Sequence, residues 1–185
     1  DIFRSLAGKE NPQGILASVQ QREITLTDLT SQNFQRGAAV IAPQDPGNVG
    51  TILRTLDAVG ADALILLDGG VDIYHPKVVR ASMGAIFWKP IVRTSFDALL
   101  AWTEENALKL IGTSARGTSD FASLKEDFEN WVLLLGSEQK GLSFEQVTAC
   151  DALLSLPMRG RGTSLNLGVA AGVLLYGLMQ KTPRE

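Results

Sequence analysis

Polar and apolar positions follow two rhythms along most of this chain. Short continuous apolar runs occupy residues 38–42, 63–67, 90–93, 108–112, 131–135 and 152–156. Runs this short, rich in Val, Ile and Leu and without polar alternation, predict strands covered on both faces. Between them the apolar residues recur at helical spacing. Residues 48–59 place Val49, Ile52, Leu53, Leu56 and Val59 on one face, and Gly60 is a natural stop. Pro76 opens a helix over 76–83 that Gly84 ends. Ser95 is the expected N-cap of 96–106; Ala98 stands where a capping box needs Glu or Gln. A shorter helix covers 143–149, and 163–180 is apolar on nearly every side, which predicts a central buried helix. Strands alternating with helices give an α/β fold built on a mainly parallel sheet with helices on both faces. Residues 1–36 read differently: Asn11-Pro12-Gln13-Gly14 signals a turn, 15–19 is apolar and 20–36 is mixed, as in a leader strand and connector.

Composition narrows the function classes. A chain of 185 residues, 45% of them hydrophobic, makes one domain, or one plus an appendage, and buries a core without disulfides or metal. The single Cys150 excludes an intramolecular disulfide and fits a reducing, cytoplasmic compartment. One imidazole, His75, and widely spaced soft ligands predict no metal. The net charge of -3 excludes a polycation, but it leaves nucleic acid open as a partner, because the placement of Lys and Arg decides binding. The most apolar stretch, 165–179, contains Asn166 and is shorter than the ~20 residues of a membrane span, so no membrane is expected.

Common nucleotide signatures fail. Gly160-Arg161-Gly162 is followed by Leu165 where GxGxxG needs glycine. Gly136 and Gly141 have P-loop spacing, but Leu142 replaces the essential Lys and Glu138 would repel phosphate. A Ser-His-Asp arrangement finds no support in an imidazole next to Pro76.

Three polar clusters remain. Asp45-Pro46-Gly47-Asn48-Val49-Gly50 leads to Arg54-Thr55; taken alone, Asn48 reads as an N-cap and Arg54 as a solvated helix residue. The run from Leu133 through Gly136, Glu138, Lys140 and Gly141 to Ser143 is either a ligand loop or a glycine-rich turn before the next helix. The run from Leu156 through Met158, Arg159 and Arg161 ends in Thr163-Ser164-Leu165-Asn166. There Thr163 or Ser164 is the expected N-cap, and the amide of Asn166 lacks an obvious partner.

In this order and spacing, the three clusters resemble the SpoU family of RNA ribose 2′-O-methyltransferases, of the knotted SPOUT class. The matching stretches are residues 48–60, 135–143, 156–160 and 164–171, with 79–85 in the same style. The resemblance spans about residues 11–180. It implies a C-terminal deep trefoil knot within a domain over 37–185, S-adenosylmethionine as cofactor, and a homodimer with sites at the interface. By resemblance, the catalytic set is Asn48, Arg54, Glu138, Ser164 and Asn166, with Glu138 orienting Asn48 or Arg54 across the interface. Cofactor contacts fall on Thr113, Gly136, Leu156, Met158 and Leu165, and RNA contacts on Arg54, Lys140, Arg159 and Arg161. Ribosomal RNA is the favoured partner and transfer RNA the second. A non-catalytic RNA-binding module and a generic nucleotide-binding enzyme are the competing readings. The opening at Asp1 and the leader over 1–36 lead us to expect a longer natural protein, with a small RNA-binding domain ahead of this one.

Overall fold

Apolar runs that cannot tolerate water on either side line up here as the interior of a sheet. The computed structural model describes residues 15, 17–114, 119–120 and 128–181. Its strands are β1 (Arg36–Ile41), β2 (Ala63–Leu67), β3 (Ile91–Thr94), β4 (Lys109–Thr113), β5 (Ser119–Asp120), β6 (Trp131–Leu135) and β7 (Ala152–Ser155). Its helices are α1 (Pro46–Val59), α2 (Pro76–Ala81), α3 (Phe96–Glu105), α4 (Phe144–Thr148) and α5 (Leu167–Lys181). The sheet order is β3-β2-β1-β6-β4-β7-β5, and every neighbouring pair is parallel.

The period-2 geometry of strands sorts the core into two halves. Ala38, Val40, Leu64, Leu66, Leu133 and Leu135 pack with Val49, Ile52, Leu53 and Leu56 of α1, Val78 of α2 and Ala171, Leu174, Leu175 and Leu178 of α5. Ala39, Ile41, Ile65, Leu67, Val132 and Leu134 turn the other way, onto Phe96, Leu99 and Trp102 of α3. Helices therefore cover both faces, as the alternation of runs implies.

Several boundaries differ from the sequence reading, each for a local reason. The first helix starts at Pro46, because the Asp45 side chain accepts a hydrogen bond from Gly47 N at 2.7 Å and Pro46 has no N–H to satisfy. Asn48 is thus inside the first turn and is not the N-cap. The second helix stops at Ala81, and Met83 (φ 51°) and Gly84 (φ 98°) then reverse the chain in the left-handed region. The last helix begins only at Leu167, so neither Thr163 nor Ser164 caps it. Gly60 (φ 77°) ends α1 and Ser95 caps α3 through Ala98 N, both as expected. Outside the predicted runs, Ser119–Asp120 adds a short edge strand beside β7. The described part of the leader, 15 and 17–23, forms no strand; Ile24 makes one bridge to Val92, next to edge strand β3. The Asn11–Gly14 turn lies outside the described residues. Among the described residues, no helix is long and apolar enough to cross a membrane.

Gly50 sets how closely α1 and α2 approach. A Cβ there would lie 2.5 Å from Ala81 Cβ and 2.8 Å from the Val78 carbonyl oxygen. We expect Gly50→Ala to cost about 1–3 kcal/mol through overpacking, read as a lower urea midpoint with an unchanged slope.

Candidate active site

The carboxyl ends of β1, β4, β6 and β7 lie side by side at the middle of the sheet, and the loops leaving them converge. In open parallel sheets this is where ligands bind. The loop after β6 is a tight reversal: Ser137 N donates to Gly141 O at 3.2 Å and Gly141 N to Ser137 O at 2.9 Å. Gly136 permits it, since a Cβ there would fall on the backbone of Gly141 and Leu142. Ser143 then starts α4 with a full capping box, its side chain accepting from Gln146 N and the Gln146 side chain accepting from Ser143 N. The glycine-rich segment is therefore a turn of its own, and the cap belongs to Ser143.

Glu138 projects from this turn onto the start of α1. It accepts hydrogen bonds from Gln44 N (3.2 Å), Asp45 N (3.3 Å) and Asn48 Nδ2 (3.2 Å). Asn48, 6% exposed, in turn accepts at Oδ1 from Asn166 Nδ2 at 2.9 Å. Asn166 Oδ1 accepts from Val169 N at 3.2 Å, which makes Asn166 the cap of α5. The chain has one direction because its ends are fixed. An ionised carboxylate only accepts and a backbone N–H only donates, so each amide between them has a single satisfying orientation. The sequence reading had Glu138 orienting its partner across a subunit interface; for Asn48 the contact is instead within one chain. The partner of the Asn166 amide, missing in sequence, is Asn48, 118 residues away.

Behind this relay lies a cavity of about 820 Å³. All five residues expected at a cofactor line it: Thr113, Gly136, Leu156, Met158 and Leu165. So do Asn48, Glu138, Ser164, Asn166 and Lys140. Arg54, Arg159 and Arg161 do not line it; all three are exposed, Arg54 on the outer side of α1 and the other two on the loop between β7 and α5. The sequence reading missed the main-chain donors of Gln44 and Asp45, which carry no side-chain signature, and it missed Ser114, Ser137 and Val147 on the cavity wall. Cys150 is no nucleophile: burial first, then the charge of Asp151, pushes its thiol up to about 11, and its Sγ donates to Gln146 O at 3.1 Å.

Comparison with known proteins finds a family and relatives for this chain. The model of the SpoU rRNA Methylase family matches residues 38–176. A Bacillus subtilis (strain 168) protein, 23S rRNA (guanosine(2553)-2′-O)-methyltransferase RlmP, is 32% identical over 178 residues, covering 96% of this chain and 69% of the relative. The 23S rRNA (uridine(2479)-2′-O)-methyltransferase of Streptomyces viridochromogenes is 35% identical over 184 residues, covering 95% of this chain and 63% of the relative. The crystal structure of an AdoMet-bound rRNA methyltransferase from Sinorhizobium meliloti superposes with a TM-score of 0.91 at 33% identity, covering 97% of this chain and 69% of that one.

The one-way relay makes a sharp prediction. Asn48→Asp keeps the size but turns an acceptor toward Glu138, and we expect it to lose about 1–3 kcal/mol of stability, more than Asn48→Ala. Urea unfolding of the two variants side by side checks the order.

Proposed function

Because this chain belongs to the SpoU rRNA methylase family, we propose that it transfers a methyl group from S-adenosylmethionine to a ribose 2′-hydroxyl of ribosomal RNA. The observation that carries this reading is the cavity itself. All five residues expected at the cofactor line it, and the Glu138–Asn48–Asn166 relay forms part of its wall. The donor set suits the group: a cavity of about 820 Å³, walled by Leu and Met side chains with a few polar main-chain and hydroxyl groups, has the size and character of a small-molecule site. Thr113, Gly136, Leu156, Met158 and Leu165 would hold it. When bound, S-adenosylmethionine supplies an electrophilic methyl on a sulfonium, with a neutral thioether as leaving group.

The tasks left to the protein are orientation and charge placement, the hydroxyl's proton leaving to water or to the adjacent phosphate. Ser164 and Asn166 hold the ribose against the cavity, and Asn48 fixes the amide of Asn166. Glu138 already accepts from three donors, so we assign it to positioning and not to proton removal. Arg54 clamps the phosphate beside the target ribose; a guanidinium does not surrender its proton in proteins, so it orients and does not act as a base. Lys140, Arg159 and Arg161 form a basic rim for the RNA backbone on an otherwise acidic chain. A single thiol and an RNA substrate fit the cytoplasm.

The reading includes a twofold partner and a knot. Val169, Val173 and Tyr176 leave an apolar stripe on α5 that is 50–52% exposed. Arg54, outside its own cavity, lies on the neighbouring helix α1 and would serve the partner's site. For the knot, support comes from the chain after β7, which returns to the start of α1, where Asn166 bonds to Asn48 and α5 packs on α1.

Three outcomes test this. Arg54→Ala should transfer labelled methyl to ribosomal RNA about 100-fold more slowly with unchanged cofactor affinity; undiminished transfer would overturn the assignment. A native chain that binds RNA but transfers nothing would be a binding module of the same fold. Val173→Glu should sediment as a monomer and lose activity with it.

A further inference from the structure

One exposed segment outside the cavity is built in a way the reading above does not use. Met83, Phe87 and Trp88 are 68%, 56% and 54% exposed, an unusual run of large apolar side chains on one surface turn. The turn is fixed by its backbone. Met83 and Gly84 both have positive φ, and a short 3-10 turn over Ala85–Phe87 follows. Trp88 does not swing freely: its Nε1 donates to Asp57 Oδ1 at 2.8 Å, and its ring edge lies over Gly84, where a Cβ would be 3.1 Å from the ring. Asp57 is on α1, three residues and so about one helical turn after Arg54. Lys89 Nζ, 3.8 Å from the same Asp57 oxygen, offsets that carboxylate's charge. On the other side, Phe87 lines a separate cleft of about 180 Å³ together with Arg22, Tyr74 and Lys89.

A planar ring held in place, with exposed cations such as Arg54 and Arg22 nearby, is what unpaired nucleotides bind, bases stacking on rings and phosphates meeting the cations. A duplex keeps its base faces stacked and cannot use such a surface. We propose that Trp88 and Phe87 form a stacking platform for unpaired bases of the substrate RNA, beside the phosphate held by Arg54. This rests on the RNA reading and adds to it a substrate requirement: single-stranded nucleotides next to the target ribose. Anchoring by Asp57 means the ring meets the base already ordered, so little entropy is lost on stacking.

The chain offers a direct readout. Of its three tryptophans, Trp102 is 7% exposed and Trp131 fully buried, so a stacking ligand reaches only Trp88. Titrating the full chain with single-stranded oligouridylate should quench tryptophan emission saturably, and a duplex RNA of equal length should not. Trp88→Ala should abolish the quenching and weaken oligouridylate binding about ten- to hundred-fold, with S-adenosylmethionine affinity unchanged as the sign of an intact fold. Trp88→Phe, which keeps a ring, should stay within a few-fold of native affinity. The platform is overturned if the native chain binds no oligouridylate, if it binds without quenching, or if Trp88→Ala binds with native affinity. It is also overturned if Trp88→Ala changes the sedimentation of the protein, which would mark the segment as an interface between copies. Quenching without methyl transfer in the labelled assay would leave the platform standing and remove the catalytic reading.

Discussion

Everything at the candidate site hangs on one carboxylate. Glu138 is the acceptor-only end of a hydrogen-bond chain that runs through Asn48 and Asn166 to the backbone of α5. Three segments far apart in sequence meet in it: the start of α1, the turn after β6 and the start of α5. Each of these has a reason of its own to be where it is, in the N-cap of Asp45, the glycines at 136 and 141, and the packing of α5 on α1. What the relay adds is direction. With an acceptor at one end and a donor at the other, neither Asn can flip without leaving polar groups unpaired, at a cost of about 1–3 kcal/mol each where they are buried. The Asn166 amide is therefore presented in one orientation at the cavity wall before any substrate arrives, and preorganisation of this kind is how a site favours a transition state.

The sheet supplies the platform for that relay. A parallel arrangement sends the carboxyl ends of β1, β4, β6 and β7 to the same side, so their loops surround one cavity. The division of labour follows from solvation. Leu156, Met158 and Leu165 offer apolar contact inside, while the exposed cations Arg54, Arg159 and Arg161 stay outside the cavity, where keeping a charge hydrated is cheap. A small molecule and a polyanion can thus be gripped at one place by different chemistry. The surface beyond Arg54, with its anchored indole, extends the same logic to bases that have left their stack.

The sequence by itself determined every described strand but the short β5, and most helices. Continuous Val, Ile and Leu runs have few alternatives to a buried sheet, and Gly60, Ser95 and Pro76 mark helix ends through rules local to one turn. The residues expected at the site came from the resemblance of three polar clusters to one family; taken alone, Asn48 read as a cap and Arg54 as a solvated helix residue. Tertiary structure decided what those side chains touch. Asn48 read as a cap because a local rule favours Asn there, but Asp45 takes that role and frees Asn48 to bridge segments 118 residues apart. Thr163 and Ser164 looked like caps for the same reason, until the bond to Asn48 placed the cap at Asn166. Arg54 read by spacing as a solvated helix residue, and the turn of α1 carries it to the exposed outer face. Local rules see a few residues of backbone; hydrogen bonds across a hundred residues exist only once the sheet has brought the loops together.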